Sequence, residues 1–258
     1  MKRNIFLCSI VLLLSPVFLF SQNAKEIVKK AKTQVDLSSL GTRAKMQIQR
    51  DGKTLTVLVI DQYSSRDKNG LQRTLIDFKE PAIAKGTRFL MQEKKDGSMD
   101  QRIFLPSLKK VRRIATESDG SESFMGTDFS YNDVSFMTRD AEHDDFVMLE
   151  EKSIDGKDCH VIEGKPKDAG YSYAKTILFI SKQDGMIQKV EFYNKDNVLV
   201  KILELSNYKK IQNVLTPMQT KLSTVATKTS TIIELQKVNY GMQIPEKVFT
   251  TKYLETGR

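Results

Sequence analysis

The stretch "DGKTLTVLVIDQY", Asp51 to Tyr63, decides the fold class. Asp and Gly both tolerate positive φ, which tight hairpin turns require, and the run that follows is rich in β-branched residues. Six Asp-Gly or Asn-Gly pairs recur along the chain, at Asp51-Gly52, Asn69-Gly70, Asp96-Gly97, Asp119-Gly120, Asp155-Gly156 and Asp184-Gly185. A further turn is predicted at "NKDN", Asn194 to Asn197. Between the turns lie runs such as "QRTLIDFKE", "GTRFLMQEK", "KTILFIS" and "STIIELQKV", several alternating with period two. Consecutive hairpins give an antiparallel meander of about eleven strands, and accumulated strand twist curls a sheet of that width.

One segment argues for helix: "NAKEIVKKAKTQV", Asn23 to Val35, with Asn23 as its cap and Ile27, Val28, Ala31 and Val35 on one face. Its apolar stripe is expected on the concave face of the sheet. No linker rich in Pro, Gly or Ser divides the chain, so residues 22–258 read as a single domain that is mainly β with few helices.

Ahead of that domain stands "MKRNIFLCSIVLLLSPVFLFSQNAKE", with a basic start at Lys2 and Arg3 and an apolar run to Phe20. It reads as a secretory signal peptide over residues 1–21, cleaved after Ser21. The apolar run is shorter than the ~20 residues that span a bilayer. Cys8 lies inside it, too near the start for a lipoprotein acylation site. Cleavage leaves 39 basic against 32 acidic side chains, a net charge of +7, and one cysteine, Cys159. An exported basic protein of this kind is drawn to anionic membrane surfaces or acidic partners.

A curled sheet of this width is too wide for its own side chains to fill, so helices, loops or a ligand must enter it. "SFMGTDFSYND", Ser123 to Asp133, is the candidate plug. Phe124, Met125, Phe129 and Tyr131, followed by Phe136 and Met137, supply an adaptable apolar surface. The plainer reading is a satellite core cluster under a long loop, and both stand. Asp128 and Asp133 read as loop caps and turn acceptors.

Three segments in order, "FKEPAIAKGTRFL" (Phe78–Leu90), "FLPSLKKVRRI" (Phe104–Ile114) and "SFMGTDFSYND", resemble the outer-membrane lipoprotein-sorting family, specifically the uncharacterised branch related to the LolA carriers. The resemblance implies a half-open antiparallel barrel, closed by the N-terminal helix and a loop or helix lid, around an apolar cavity. It implies a periplasmic carrier for lipoprotein acyl chains or another lipid, moving cargo toward the outer membrane with an inner-membrane permease and an outer-membrane acceptor as partners. The same architecture also serves lipid-sensing regulators. For the cavity and lid, the expected lining is Phe89, Met91, Ile103, Leu105, Phe124, Met125, Phe129 and Tyr131. The arginine that holds the lid in such carriers has two candidates by region, Arg43 and Arg50, and no motif fixes either.

The basic run around Lys109, Lys110, Arg112 and Arg113 reads first as a charged edge strand that resists aggregation. Its functional reading is transient docking to anionic head groups or an acidic partner. Catalysis is not expected. No G-x-S-x-G is present, and Cys159 and His160, adjacent in an alternating strand, face opposite ways. "AEHDD", Ala141 to Asp145, reads as an acidic surface turn rather than a metal site. Nucleic-acid binding is disfavoured because the basic residues have no interleaved aromatic platform. No cofactor is implied.

Overall fold

The computed structural model describes residues 17–34, 39–115, 121–136, 139, 141–168 and 171–258. The Asp119-Gly120 turn, Met137, Val35 and most of the predicted signal peptide lie outside these residues. The remaining chain runs α1 (Val17–Thr33), β1 (Ser39–Arg50), β2 (Lys53–Arg66), β3 (Gln72–Glu80), β4 (Arg88–Glu93), β5 (Met99–Leu105), β6 (Lys110–Ile114) and α2 (Tyr131–Phe136). It continues through β7 (Asp144–Met148), β8 (Lys152–Ile154), β9 (Lys157–Pro166), β10 (Lys175–Ser181), β11 (Ile187–Tyr193), β12 (Leu199–Ile211), β13 (Val214–Thr224), β14 (Thr229–Tyr240) and α3 (Thr251–Thr256).

All fourteen strands join one antiparallel sheet, in the order β6-β5-β4-β3-β2-β1-β14-β13-β12-β11-β10-β9-β7, with β8 also on β9. The sheet is not closed. The count exceeds the expected eleven for three reasons. "SLGTRAKMQIQR" is strand β1, "KVRRI" is strand β6, and "FVMLEEKSI" breaks into β7 and β8. Charge hid the first, because Arg43 and Lys45 alternate with buried Ala44 and Met46; the second is the charged edge strand expected of the basic run, with Lys110, Arg112 and Arg113 all exposed. Two meanders, β1–β6 and β9–β14, are zipped by β1 against β14, with Leu40 opposite Tyr240 and Arg50 opposite Thr229.

The predicted turns behave as their chemistry requires. At Asp51-Gly52 both residues take positive φ, 49° and 75°, the geometry whose twist matches the flanking strands. Gly97 (φ 79°) has a second role, because a Cβ there would fall 2.6 Å from Nε2 of His143. The β4–β5 turn therefore touches the 3₁₀ turn that precedes β7, and the two halves of the sheet curl toward each other.

Alternation places two cores on the inner face. One gathers β1–β5 with Phe124 and Tyr131; the other gathers α1, α2, β7 and β9–β12. Val28 and Ala31 of α1 are buried in the second, as the helical stripe predicted, with Ile27 partly buried against it and Ala24, outside the expected stripe, buried as well. The helix begins upstream of Asn23, which is exposed within it and so is not its cap. On the outer face, Val248, Phe249 and Leu254 pack against Leu75 and Leu90. Arg73 fixes that covering, donating to Glu246 and lying 4.5 Å above the Phe249 ring.

Candidate functional site

Between the two cores lies a cavity of about 280 Å³. That is near the lower end for small-molecule sites, about 300 Å³. Its floor is the inner face of β1–β4 and β12–β14, including Ala44, Met46, Ile60, Ile76, Leu203 and Ile233. Its roof is the Ser123–Asp133 segment with α2, which contributes Phe124, Phe129, Asp133 and Val134, and Ala31 and Lys32 of α1 close one side.

The roof is held by polar bonds to strands far along the chain. Asp128 is buried, and its carboxylate accepts from the hydroxyls of Thr224 (2.7 Å), Thr229 (2.5 Å) and Thr231 (2.8 Å), while its N–H donates back to Thr231. Asp133 forms a local box with Ser130, taking the Ser130 N–H at 2.7 Å and donating its own N–H to the Ser130 hydroxyl. The same carboxylate accepts from Tyr173 at 2.6 Å and Lys201 at 2.5 Å. Burial and the adjacent Asp133 charge push the Tyr173 phenol well above its usual range, so it stays a donor. The Lys32 ammonium donates to the carbonyls of Phe136 and Arg139 and lies 4.7 Å from the Phe136 ring, tying α1 to the end of α2. Local turn chemistry accounts for half of what Asp133 does and for none of the threonine cradle around Asp128.

Of the eight expected lining residues, Met91, Phe124 and Phe129 line the cavity. Phe89, Ile103 and Tyr131 are buried in the first core instead, and Leu105 and Met125 pack against it. The ring of Phe124 lies 5.0 Å from Phe89 and 5.6 Å from Tyr131, so this end of the plug is solid aromatic packing. The cavity is displaced toward β1 and β14. Sequence reading missed them because it left β1 unassigned and did not foresee the β1–β14 pairing; the alternation Leu40, Thr42, Ala44, Met46 was the available signal.

Arg43 is on the other face. Its guanidinium donates to both oxygens of Asp61, at 2.7 and 2.9 Å, and those bonds hold the Asp61 carboxyl below the usual carboxylate range. Arg50 is exposed at the β1–β2 turn. Neither is bonded to the roof. In the basic run, Lys109 is in the turn before β6, and Lys110, Arg112 and Arg113 lie on β6, the edge strand of the sheet. Arg112 pairs with Glu122 and Arg113 with Asp100. Beside Lys109, Leu108 is 62% exposed, and in the neighbouring β3–β4 loop Ile83 is 95% exposed.

The cavity wall contains a seam. β13 pairs with β14 only from Gln219–Glu234 to Thr224–Thr229; beyond that, β13 stays with β12 and β14 stays with β1. Pro217, which has no N–H, sits where the pairing stops. Across the gap the Thr216 hydroxyl meets Tyr240 OH at 2.9 Å, and Gln212 bonds the Tyr240 backbone on both sides.

Cys159 is buried in a small cluster with Val161, Ile177 and Phe179, and burial raises its thiol. His160 faces Glu151 on the other side at 3.9 Å. The AEHDD segment is more structural than a surface turn, since Asp144 is buried and paired with Arg139 at 3.0 Å. Among the described residues no group of His, Cys, Asp and Glu is arranged to hold a metal ion, and no helix is long and apolar enough to cross a membrane.

A curled, unclosed sheet with a roofed apolar cavity matches solved structures along nearly its whole length. A DUF1329 family protein from Desulfovibrio piger is 25% identical with a TM-score of 0.85, covering 91% of this chain and 99% of its own. A putative outer membrane lipoprotein-sorting protein domain from Vibrio parahaemolyticus is 25% identical with a TM-score of 0.83, over the same shares. Residues 70–256 match the model of a family described as "Uncharacterized protein". The chain belongs to the LolA-like, outer-membrane lipoprotein-sorting family. A LolA superfamily protein from Nitrosomonas europaea, 19% identical with a TM-score of 0.71 over 89% of this chain and 98% of its own, shares the fold. No curated protein matches. Within this LolA-like fold, the β1–β14 zipper brings strands from both ends of the chain to the cavity floor.

Proposed function

We propose that this protein is a periplasmic carrier that holds acyl chains of a lipoprotein, or of another lipid, in the cavity and moves them toward the outer membrane. The observation that carries the reading is the roofed cavity itself, lined by Ala44, Met46, Ile60, Ile76, Leu203 and Phe129 and fully formed within the curled sheet. Burying ten methylenes there is worth about 8 kcal/mol before binding costs, enough to keep a chain out of water yet reversible against a membrane. Family membership supports a carrier rather than an enzyme, and the signal-peptide reading of residues 1–21 supports export. The inner-membrane permease and outer-membrane acceptor follow from the same resemblance. Lys109, Lys110, Arg112 and Arg113, with Ile83 and Leu108 exposed nearby, suit transient contact with an anionic membrane surface.

The test is to purify the protein from its own cell envelope and identify bound lipid by mass spectrometry, beside an Ala44→Phe variant that fills the floor. Lipid on the wild type and at least tenfold less on the variant is expected. Wild-type protein that carries no lipid, and binds no acyl probe when offered one, ends the carrier reading.

A further inference from the structure

The roof of the cavity and its β13–β14 wall are closed by different means. The roof is held by the Asp128 carboxylate on three threonine hydroxyls and by the buried pair of Asp133 with Lys201. The wall is held by neutral side chains. Beyond Gln219–Glu234, β13 and β14 no longer pair, and what spans the gap is the Thr216 and Tyr240 hydroxyls at 2.9 Å and the Gln212 amide. That amide donates to the Tyr240 carbonyl at 3.2 Å and accepts the Tyr240 N–H at 2.8 Å.

Both strands carry a ladder breaker at the same level. If the β13–β14 register continued past Gln219–Glu234, Pro217 would stand opposite Gln236. Pro217 has no N–H to give. Gln236 is the residue that the β1–β14 ladder skips, since Arg43 is opposite Lys237 and Ala44 opposite Leu235. Such a bulge bends and twists its strand. Each bank keeps its other neighbour, β13 staying on β12 to Val214 and β14 on β1 to Tyr240. The turn end of the hairpin is clamped, because Thr224, Thr229 and Thr231 are the residues that hold Asp128. The hairpin is therefore shut at its turn and able to spread at its other end, and spreading breaks no ladder bond.

The cavity reaches both banks, Thr216 and Pro217 on one and Leu235, Val238 and Tyr240 on the other. Parting them opens the cavity sideways, through the sheet. Lifting the roof instead separates a buried ion pair, which costs more than exchanging a few neutral hydrogen bonds with water. We infer that acyl cargo enters and leaves through the β13–β14 seam, with Thr216, Tyr240 and Gln212 as its clasp, while the roof stays shut. The inference rests on the carrier reading and assigns the route its cargo takes.

The experiment follows uptake and release of cis-parinarate, a fluorescent acyl chain, by stopped flow on the purified protein. One variant carries Thr216→Cys with Tyr240→Cys, joined across the seam by a short bis-methanethiosulfonate linker. A second carries Asp128→Cys with Thr224→Cys, joined in the same way between roof and β13. Cys159 is buried, so the linker meets the new thiols. Linking the seam is expected to slow uptake at least tenfold. Protein loaded first and then linked should hold its probe at least tenfold longer, and a reductant should release it, which separates a closed route from a filled cavity. Linking the roof should change both rates less than twofold relative to the same variant reduced. Gln212→Ala, outside the cavity lining, should speed both at least threefold. Rates unchanged by the seam linker, or slowed as much by the roof linker, overturn the route and leave the carrier reading standing. Wild-type protein that binds no parinarate removes both. If a cysteine variant does not fold, Gln212→Ala carries the comparison, and rates no faster than wild type overturn the seam.

Discussion

Asp133 and Lys201 are in contact at 2.5 Å across 68 positions of sequence, and the Asp133 side chain is 2% exposed. This pair joins the roof of the cavity to β12 in its floor. Tyr173 and Ser130 satisfy the remaining carboxylate capacity. Breaking one partner of a buried ion pair leaves the other charge uncompensated. Lys201→Met is therefore expected to destabilise the fold by about 3–5 kcal/mol in urea denaturation. Asp133→Asn with Lys201→Met together should cost less than Lys201→Met alone; a double variant at least as damaging as the single one would contradict the assignment.

Arg43 and Asp61 make a pH-dependent contribution on the outer face. The guanidinium lowers the Asp61 pKa, so the pair stabilises the fold above the unfolded-state value, about 3.9, and that stabilisation is lost as pH falls through the folded value. Wild type and Arg43→Met are expected to differ in urea midpoint at pH 7 and to converge below about pH 4. A difference that persists undiminished at the lowest pH where both fold would mean that Arg43 acts through packing alone.

The β6 edge gives a membrane prediction. Neutralising Lys109, Lys110, Arg112 and Arg113 to Gln should weaken sedimentation with vesicles containing anionic lipid, while neutral vesicles bind wild type and variant alike. Each cation near such a surface is worth about 1 kcal/mol, so added salt should erase most of the wild-type advantage. Unchanged anionic-vesicle binding would assign this run to edge protection only.

The seam predicts uneven backbone protection. Along β14, Thr229–Glu234 is paired on both sides, whereas the stretch from Leu235 on has lost β13. Hydrogen exchange should therefore be faster from 235 to 239 than from 229 to 234, and Tyr240→Phe, which removes the hydroxyl bonded to Thr216, should speed it further. Equal protection along the whole strand would show that the two banks remain joined in solution.

Much of this architecture is legible in residue order alone. Turn pairs such as Asp51-Gly52, period-two alternation, and the apolar stripe of α1 depend on backbone preferences and on side-chain direction within a few residues, which are local properties. They determined an antiparallel curled sheet, an inward helix and a roof segment rich in aromatics. Only the tertiary structure decided that β1 pairs with β14, that Asp128 meets three threonines of the β13–β14 hairpin, and that the cavity lies over β1 rather than beneath Phe89 and Ile103. Those relationships join residues far apart in the chain, 96 positions for Asp128 and Thr224, and no local preference encodes which distant strand completes a hydrogen-bonding edge; that choice is made by which closure buries the apolar faces and satisfies the polar groups together.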